Sequence, residues 1–245
     1  MNANDNPWDR FTHKAALFYS GYKDRVQGFK RELARVGVEG YTPFWGCTNP
    51  YEALLQRYVP HKRGCENGYF NTSLKHHAVV KTAYELGAEN VVIFEDDIRF
   101  LNDTEPVLHA VRSLPEDYDA ALFEWTPMPK ADDPEIRTEI EAIHSAPVNE
   151  HWCRARRFYS MAAYALSRRM MERLIYCYEL PAHGMKKLRI CDHYWSRILV
   201  DPDLKAYVSR NNVCIQACQQ GNTPMENMRA KYDVMGINRA DYAEW

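Results

Sequence analysis

The sequence predicts an α/β protein, and three observations carry that reading. Short apolar runs alternate with stretches of helical periodicity, the rhythm of strands joined by crossover helices. The run Val91-Val92-Ile93-Phe94 is apolar at every position, as in a strand buried on both faces. It then breaks into Glu95-Asp96-Asp97, and ligands of open α/β sheets gather at the carboxyl ends of strands.

Taken in order, Met1–Lys14 is polar and lacks the apolar region of a signal peptide. Ala15–Ser20 reads as the first strand. Lys23–Val36 reads as a helix, with Val26, Phe29, Leu33 and Val36 at helical spacing and Gly37 as its stop. Tyr41–Phe44 is a second strand. Tyr51–Tyr58 fits a short helix, and Pro60–Gly68 is basic and rich in turn residues. Thr72 or Ser73 is placed to cap a helix that carries His76 and His77 and stops at Gly87. After the acidic strand end, Pro106–Leu114 reads as a short helix and Asp119–Glu124 as a buried strand. Thr126–Glu150 carries four prolines and mixed charges without clear periodicity, long for a plain connection. It is read as a lid or acceptor loop with a small helix near Pro134–Ile143. Phe158–Leu166 is strand-like, and Ser167 caps a helix through Tyr178. Ala182–Arg189 is a basic loop, Asp192 is placed to cap a helix through Val200, and Leu204–Ser209 and Val213–Ala217 are late strands. Order is expected around Met225–Tyr232.

The chain has 245 residues, 46% of them hydrophobic, enough for a sizeable core in one large domain or two small ones. The formal net charge of −2 argues against a general nucleic-acid-binding surface. The seven cysteines form no CxxC pair, which disfavours a zinc ribbon or disulfide framework and fits reduced thiols in the cytosol. No uncharged apolar run reaches the ~18 residues of a membrane span, so the protein is expected in the cytoplasm, with peripheral contact at the inner membrane face left open.

Three adjacent acids repel one another, and a buried strand that ends in them calls for a cation. Hard Mg²⁺ or Mn²⁺ prefers carboxylate oxygens. With strand geometry continued, Glu95 and Asp97 point to one side and Asp96 to the other. Glu124 ends a second strand, and Asp192 begins a helix in the second half. A metal beside a free carboxylate can stabilise a diphosphate leaving group while the carboxylate takes a proton from an attacking hydroxyl. The same acids also suit metal-dependent phosphoryl transfer or hydrolysis. No Walker motif occurs, and no GxGxxG follows a strand.

From about Ala15 to Gln220 the chain resembles glycosyltransferase family 25, which includes lipopolysaccharide transferases and collagen galactosyltransferases. The residues that carry the resemblance are Asp24-Arg25 after the first strand, His76 opening a helix, Gly87, and Val91–Phe94 leading into Glu95-Asp96-Asp97. Tyr118-Asp119, Ala163-Tyr164-Ala165-Leu166-Ser167 and the lone Asp192 follow in order. Lys75 stands where the family usually has serine, and Ser20-Gly21 where it has Asn-Leu.

The resemblance implies a GT-A-like fold, a mainly parallel Rossmann-like sheet flanked by helices, as a single domain over 1–245. It implies a nucleotide-sugar half over about 15–125, the lid or acceptor loop over about 126–150 and an acceptor half over about 151–220. It also implies an inverting, metal-dependent transfer from a nucleotide sugar, a UDP-sugar by default, to a glycan or glycolipid hydroxyl in lipopolysaccharide or surface-glycan synthesis. Asp97 and Glu95 would hold Mn²⁺ or Mg²⁺. Arg25, His76, Glu95 and Asp96 would bind the donor. Asp192, or failing it Glu124, would be the base. Arg154, Arg156, Arg157, Arg168 and Arg169 read as a solvated basic face. The alternatives are a degenerate sugar- or nucleotide-binding protein, another metal-dependent nucleotidyl or phosphoryl enzyme, and a hydroxylated nucleobase of phage-type DNA as acceptor.

Overall fold

The computed structural model describes residues 6–18, 23–45, 68–101, 103–127, 130–155, 160–179, 201–216 and 223–237. A 3-10 turn, Pro7–Arg10, leads into β1 (His13–Phe18), α1 (Lys23–Arg35), β2 (Thr42–Trp45) and α2 (Gly68–Glu85). There follow β3 (Asn90–Glu95), β4 (Ile98–Phe100), α3 (Thr104–Arg112), β5 (Ala120–Leu122) and α4 (Glu135–His144). The second half carries β6 (Trp152–Arg154), β7 (Ala163–Ser167), α5 (Arg168–Glu179), β8 (Ala206–Ser209), β9 (Cys214–Gln216) and α6 (Thr223–Val234).

Seven strands form one sheet in the order β2-β1-β3-β7-β5-β8-β6. β2, β1 and β3 pair in parallel, as do β5 and β8, while β7 runs antiparallel between β3 and β5. β6 lies antiparallel on β8. The sheet is therefore mixed but mainly parallel, and the carboxyl ends of β1, β3, β5 and β8 share one edge. Across that edge β4 and β9 form a small antiparallel ladder, with Ile98 opposite Gln216.

Both faces of the sheet are buried, which is why its strands read as unbroken apolar runs. Side chains alternate with period two. Leu17, Val91, Ile93, Leu122 and Leu166 share one core with Val79, Val80 and Ala83 of α2 and with Met170, Met171 and Leu174 of α5. Ala16, Phe18, Val92, Phe94, Ala121 and Phe123 share the other with Phe29 and Leu33 of α1 and with Val107 and Val111 of α3.

Most elements lie where the periodicity places them, and three differ. α2 begins at Gly68, before the expected cap at Thr72 or Ser73. Thr and Ser favour caps because they compete for backbone hydrogen bonds, yet neither blocks a helix that has already started. β6 was not foreseen, because three residues carry too little pattern to read. The polar N-terminal stretch hides an anchor: Trp8 is fully buried, donates Nε1–H to the Val36 carbonyl at 2.9 Å and packs edge-on against Phe94. The stops at Gly37 and Gly87 are as read, with φ of 75° and 80° that L side chains rarely adopt. The Tyr51–Tyr58, Ala182–Arg189 and Asp192–Val200 expectations lie outside the described residues. No described helix is long and apolar enough to cross a membrane.

Candidate active site

β3 delivers its acids to the carboxyl edge of the sheet, where Glu95, Asp96 and Asp97 are 6%, 0% and 5% exposed. Burial of three adjacent carboxylates is costly unless each finds a partner. The chain meets that demand with residues from four other elements.

Glu95 continues the alternation of Val91 and Ile93 and so faces α2. Its Oε1 lies 2.9 Å from His76 Nε2, and its Oε2 accepts from Gln216 Nε2 at 2.8 Å. His76 Nδ1 lies 2.7 Å from the Tyr164 hydroxyl on β7. In the tautomer that donates Nε2–H to the carboxylate, His76 accepts a hydrogen bond from the Tyr164 hydroxyl at Nδ1. Gln216 reaches Glu95 because the β4–β9 ladder sets it opposite Ile98, one residue past Asp97.

Asp96 and Asp97 share a cation instead. Arg25 in the first turns of α1 puts Nε 3.2 Å from Asp96 Oδ1 and Nη2 2.5 Å from Asp97 Oδ2. The expected grouping of Asp97 with Glu95 is thus corrected in part. β3 ends at Glu95, residues 96 and 97 form a turn, and the turn carries Asp97 round to Arg25 beside Asp96. Asp97 Oδ1 remains buried with no hydrogen-bond partner among the described residues. Burial pushes the Asp97 carboxyl up to about 7; Arg25 pulls it down, and Glu95 and Asp96 add to the push.

Glu124 follows β5 and is fully buried on the same edge. It accepts hydrogen bonds from the Ser160 hydroxyl and, at 2.8 Å, from the Tyr232 hydroxyl of α6. Burial pushes its carboxyl up to about 8; the two hydroxyls hold it down, and the charges of Glu95 and Asp97 raise it. Ser160 holds φ at 89°, a left-handed conformation unusual for a residue with a Cβ, and in that conformation its hydroxyl meets Glu124. The Gln216 backbone N–H donates to the Tyr232 oxygen at 3.2 Å. Glu95 and Glu124 therefore belong to one hydrogen-bonded network that passes through Gln216 and Tyr232.

Two further groups line this edge. Lys75 is buried and donates Nζ–H to the Phe18 carbonyl at the end of β1, 3.2 Å away. Trp45 ends β2 with 53% of its surface exposed and stacks on Phe18, ring centroids 4.3 Å apart and planes 12° apart.

The structure thus brings together Arg25, His76, Glu95, Asp96, Asp97 and Glu124 from the sequence-predicted set. Asp192 lies outside the described residues. Sequence reasoning missed Tyr164, Gln216 and Tyr232. Gln216 had a weak signal, a polar residue closing an apolar strand, but nothing in the sequence pairs β9 with β4. In the basic group at 154–169, Arg169 is exposed, as expected of a solvated face, while Arg154 and Arg168 are half-buried. Arg154 donates to the Leu204 carbonyl and lies over the Tyr207 ring, while Arg168 donates to the Ala88 carbonyl and lies over the Tyr84 ring. Arg169 sits 3.7 Å from Asp119.

Comparison of the sequence with protein families and with curated proteins finds no match. Comparison of the fold does. The mannosyltransferase PcManGT from Pyrobaculum calidifontis, in complex with GDP-Man and Mn²⁺, aligns over 95% of this chain with a TM-score of 0.52 at 13% identity. The fold is GT-A. This chain spans 66% of the length of that structure. A glycosyltransferase involved in glycosylation of the major capsid of PBCV-1 aligns over 87% of this chain and 98% of its own, with a TM-score of 0.43 at 9% identity. Mouse xyloside xylosyltransferase 1 covers 80% of this chain and 84% of its own, with a TM-score of 0.40 at 8% identity. The GT-A assignment bears out the expected sheet class, a mixed, mainly parallel sheet flanked by helices.

Proposed function

We propose that the protein is a metal-dependent glycosyltransferase, moving a sugar from a nucleotide-sugar donor to an acceptor hydroxyl. The observation that carries this reading is the buried carboxylate cluster at the carboxyl edge of a GT-A sheet, with Asp97 Oδ1 left without a hydrogen bond among the described residues. A buried acceptor oxygen in that position fits a hard divalent cation, and both candidate ions, Mn²⁺ and Mg²⁺, prefer oxygen ligands. Asp97 is the direct ligand. Glu95, its oxygens engaged by His76 and Gln216, would hold the ion together with Asp97. When bound, the ion offsets the charge that develops on the leaving nucleoside diphosphate.

The remaining tasks fall to the chain. Arg25 pairs with Asp96 and Asp97, and its planar guanidinium suits a donor phosphate at the same edge. His76 and Tyr164 hold Glu95 in one orientation. The exposed face of Trp45 offers a stacking platform for the nucleobase. Glu124, whose carboxyl burial pushes up to about 8, is in its ionised form a stronger base than an ordinary carboxylate and suits removal of the proton of an attacking hydroxyl in an inverting transfer. Asp192, assigned that role by the family resemblance, is the other candidate base.

Surface-glycan or lipopolysaccharide synthesis, with a UDP-sugar donor, remains the reading of the pathway that the resemblance supports. A thermal-shift panel of UDP- and GDP-sugars, each with and without Mn²⁺, tests the donor class, because a ligand that binds only the folded state raises its melting temperature. A shift that needs both the nucleotide sugar and Mn²⁺ supports the proposal; no shift with any member refutes it.

A further inference from the structure

A second cluster of metal-ligating side chains, separate from the carboxylate cluster of β3 and β5, lies beside the edge strand β6. His109 stands in the last turn of α3, and Glu150 and His151 form the approach to β6, the edge strand. His151 Nε2 lies 3.0 Å from His109 Nδ1 and 3.3 Å from Glu150 Oε1. One ligand atom from each of the three residues falls within 4.8 Å of the other two, the one such group among the described residues. In a tetrahedral zinc site with Zn–N of about 2.0–2.1 Å, neighbouring ligand atoms stand about 3.3–3.4 Å apart. The two separations at His151 Nε2 are therefore already near the spacing that a bound ion would impose.

The backbone that presents them is fixed. Asn149 Oδ1 accepts from the His151 and Trp152 N–H groups, both at 2.9 Å, and Asn149 Nδ2 donates to the Ser113 carbonyl at 2.7 Å. The Arg210 N–H donates to the His151 carbonyl at 2.7 Å. Trp152 is fully buried next door and donates Nε1–H to the Ala110 carbonyl at 2.9 Å, so the turn is tied to the residue that follows His109. Ordering costs that usually weaken a surface chelate are thus already met in the fold.

We propose that His109, His151 and Glu150 bind a borderline-soft divalent ion of the zinc class, with water completing the shell, and so clamp the end of α3 to the approach of β6. Two imidazoles and one carboxylate favour Zn²⁺, Ni²⁺ or Cu²⁺, in contrast with the all-oxygen cluster at the sheet's carboxyl edge. The two sites differ in chemistry and in place, and this one does not depend on the transferase reading.

The test is calorimetric titration of Zn²⁺ into the chelator-treated full chain, in excess Mg²⁺ to fill oxygen-only sites. Visible absorption with Co²⁺ runs in parallel. One equivalent of Zn²⁺ is expected, with affinity lowered about tenfold or more in each of His109→Gln and His151→Gln. The Co²⁺ spectrum is expected to lack a thiolate charge-transfer band. Both histidines are on the surface, so circular dichroism confirms folded variants. Absence of Zn²⁺ binding, unchanged affinity in either variant, or a thiolate band would overturn the proposal.

Discussion

Gln216 gives its side-chain amide to Glu95 at 2.8 Å, and its backbone N–H to the Tyr232 oxygen that in turn binds Glu124. A residue on the last strand of the described fold thereby couples the acids of β3 and β5. Substituting Gln216→Leu removes a donor from a buried carboxylate while leaving the backbone link in place. It is expected to cost about 1–3 kcal/mol of stability, the order of a hydrogen bond taken from a buried charged carboxylate. Urea melts with unchanged slope and a lowered midpoint would show this; an unchanged midpoint would mean that water replaces the amide.

His76→Phe keeps the ring and removes both nitrogens. Glu95 Oε1 and the Tyr164 hydroxyl then lose their shared partner. A loss of at least the same order, about 1–3 kcal/mol, is expected, and Tyr164→Phe should cost less because His76 still serves Glu95. Chemical denaturation of the two variants checks the order; a Tyr164→Phe variant less stable than His76→Phe would contradict it.

The raised Glu124 carboxyl makes a pH prediction with a definite sign. Its pKa in the fold, about 8, lies above the ordinary 4.5, so the native state holds the proton more tightly than the unfolded chain. The corresponding stability is fully present below about 4.5 and is lost as pH rises toward about 8. Glu124→Gln cannot ionise. Its stability relative to the unsubstituted chain should therefore improve steadily across that window and level off above it. Denaturant midpoints at several pH values test this; a constant difference would place the Glu124 carboxyl at its ordinary pKa.

Trp45 supports a separate prediction on the donor. Its half-exposed ring rests on the buried Phe18, so Trp45→Ala removes a stacking surface and uncovers part of Phe18, and circular dichroism confirms a folded variant. Stacking of a base on an aromatic ring is worth about 1–3 kcal/mol, and nucleoside diphosphate affinity should fall by about tenfold or more. Calorimetric titration with Mn²⁺ present measures it. Equal affinity in the variant would move the base-binding surface elsewhere.

Much of the fold was legible because both faces of the sheet are buried. Val91–Phe94, Asp119–Glu124 and Phe158–Leu166 read as strands from apolar content, the last beginning before the observed β7, and α1 and α5 from their periodicity and their flanking Gly37 and Ser167. The acids of the candidate site were legible for a related reason, since Glu95, Asp96, Asp97 and Glu124 interrupt apolar runs where nothing local compensates them. Their partners were not. His76, Gln216 and Tyr232 meet them through contacts 19, 121 and 108 residues apart in the chain, and a local pattern does not encode which strand pairs with which. Trp8 was hidden for the opposite reason, a single large residue in a polar stretch. Asp97 was misdirected by one assumption, that β3 continues through it, whereas the turn at 96 and 97 sets it beside Asp96 on Arg25.

The central claim is that Asp97 holds a divalent ion that donor turnover requires. Release of free nucleoside diphosphate from a responsive nucleotide sugar, followed with Mn²⁺ and with EDTA, tests it most directly when the Asp97→Ala variant is run beside the unsubstituted chain. The account predicts turnover by the unsubstituted chain with Mn²⁺, none in EDTA and none by Asp97→Ala under either condition, with the variant still folded by circular dichroism. Full turnover in EDTA, or by Asp97→Ala, would contradict it.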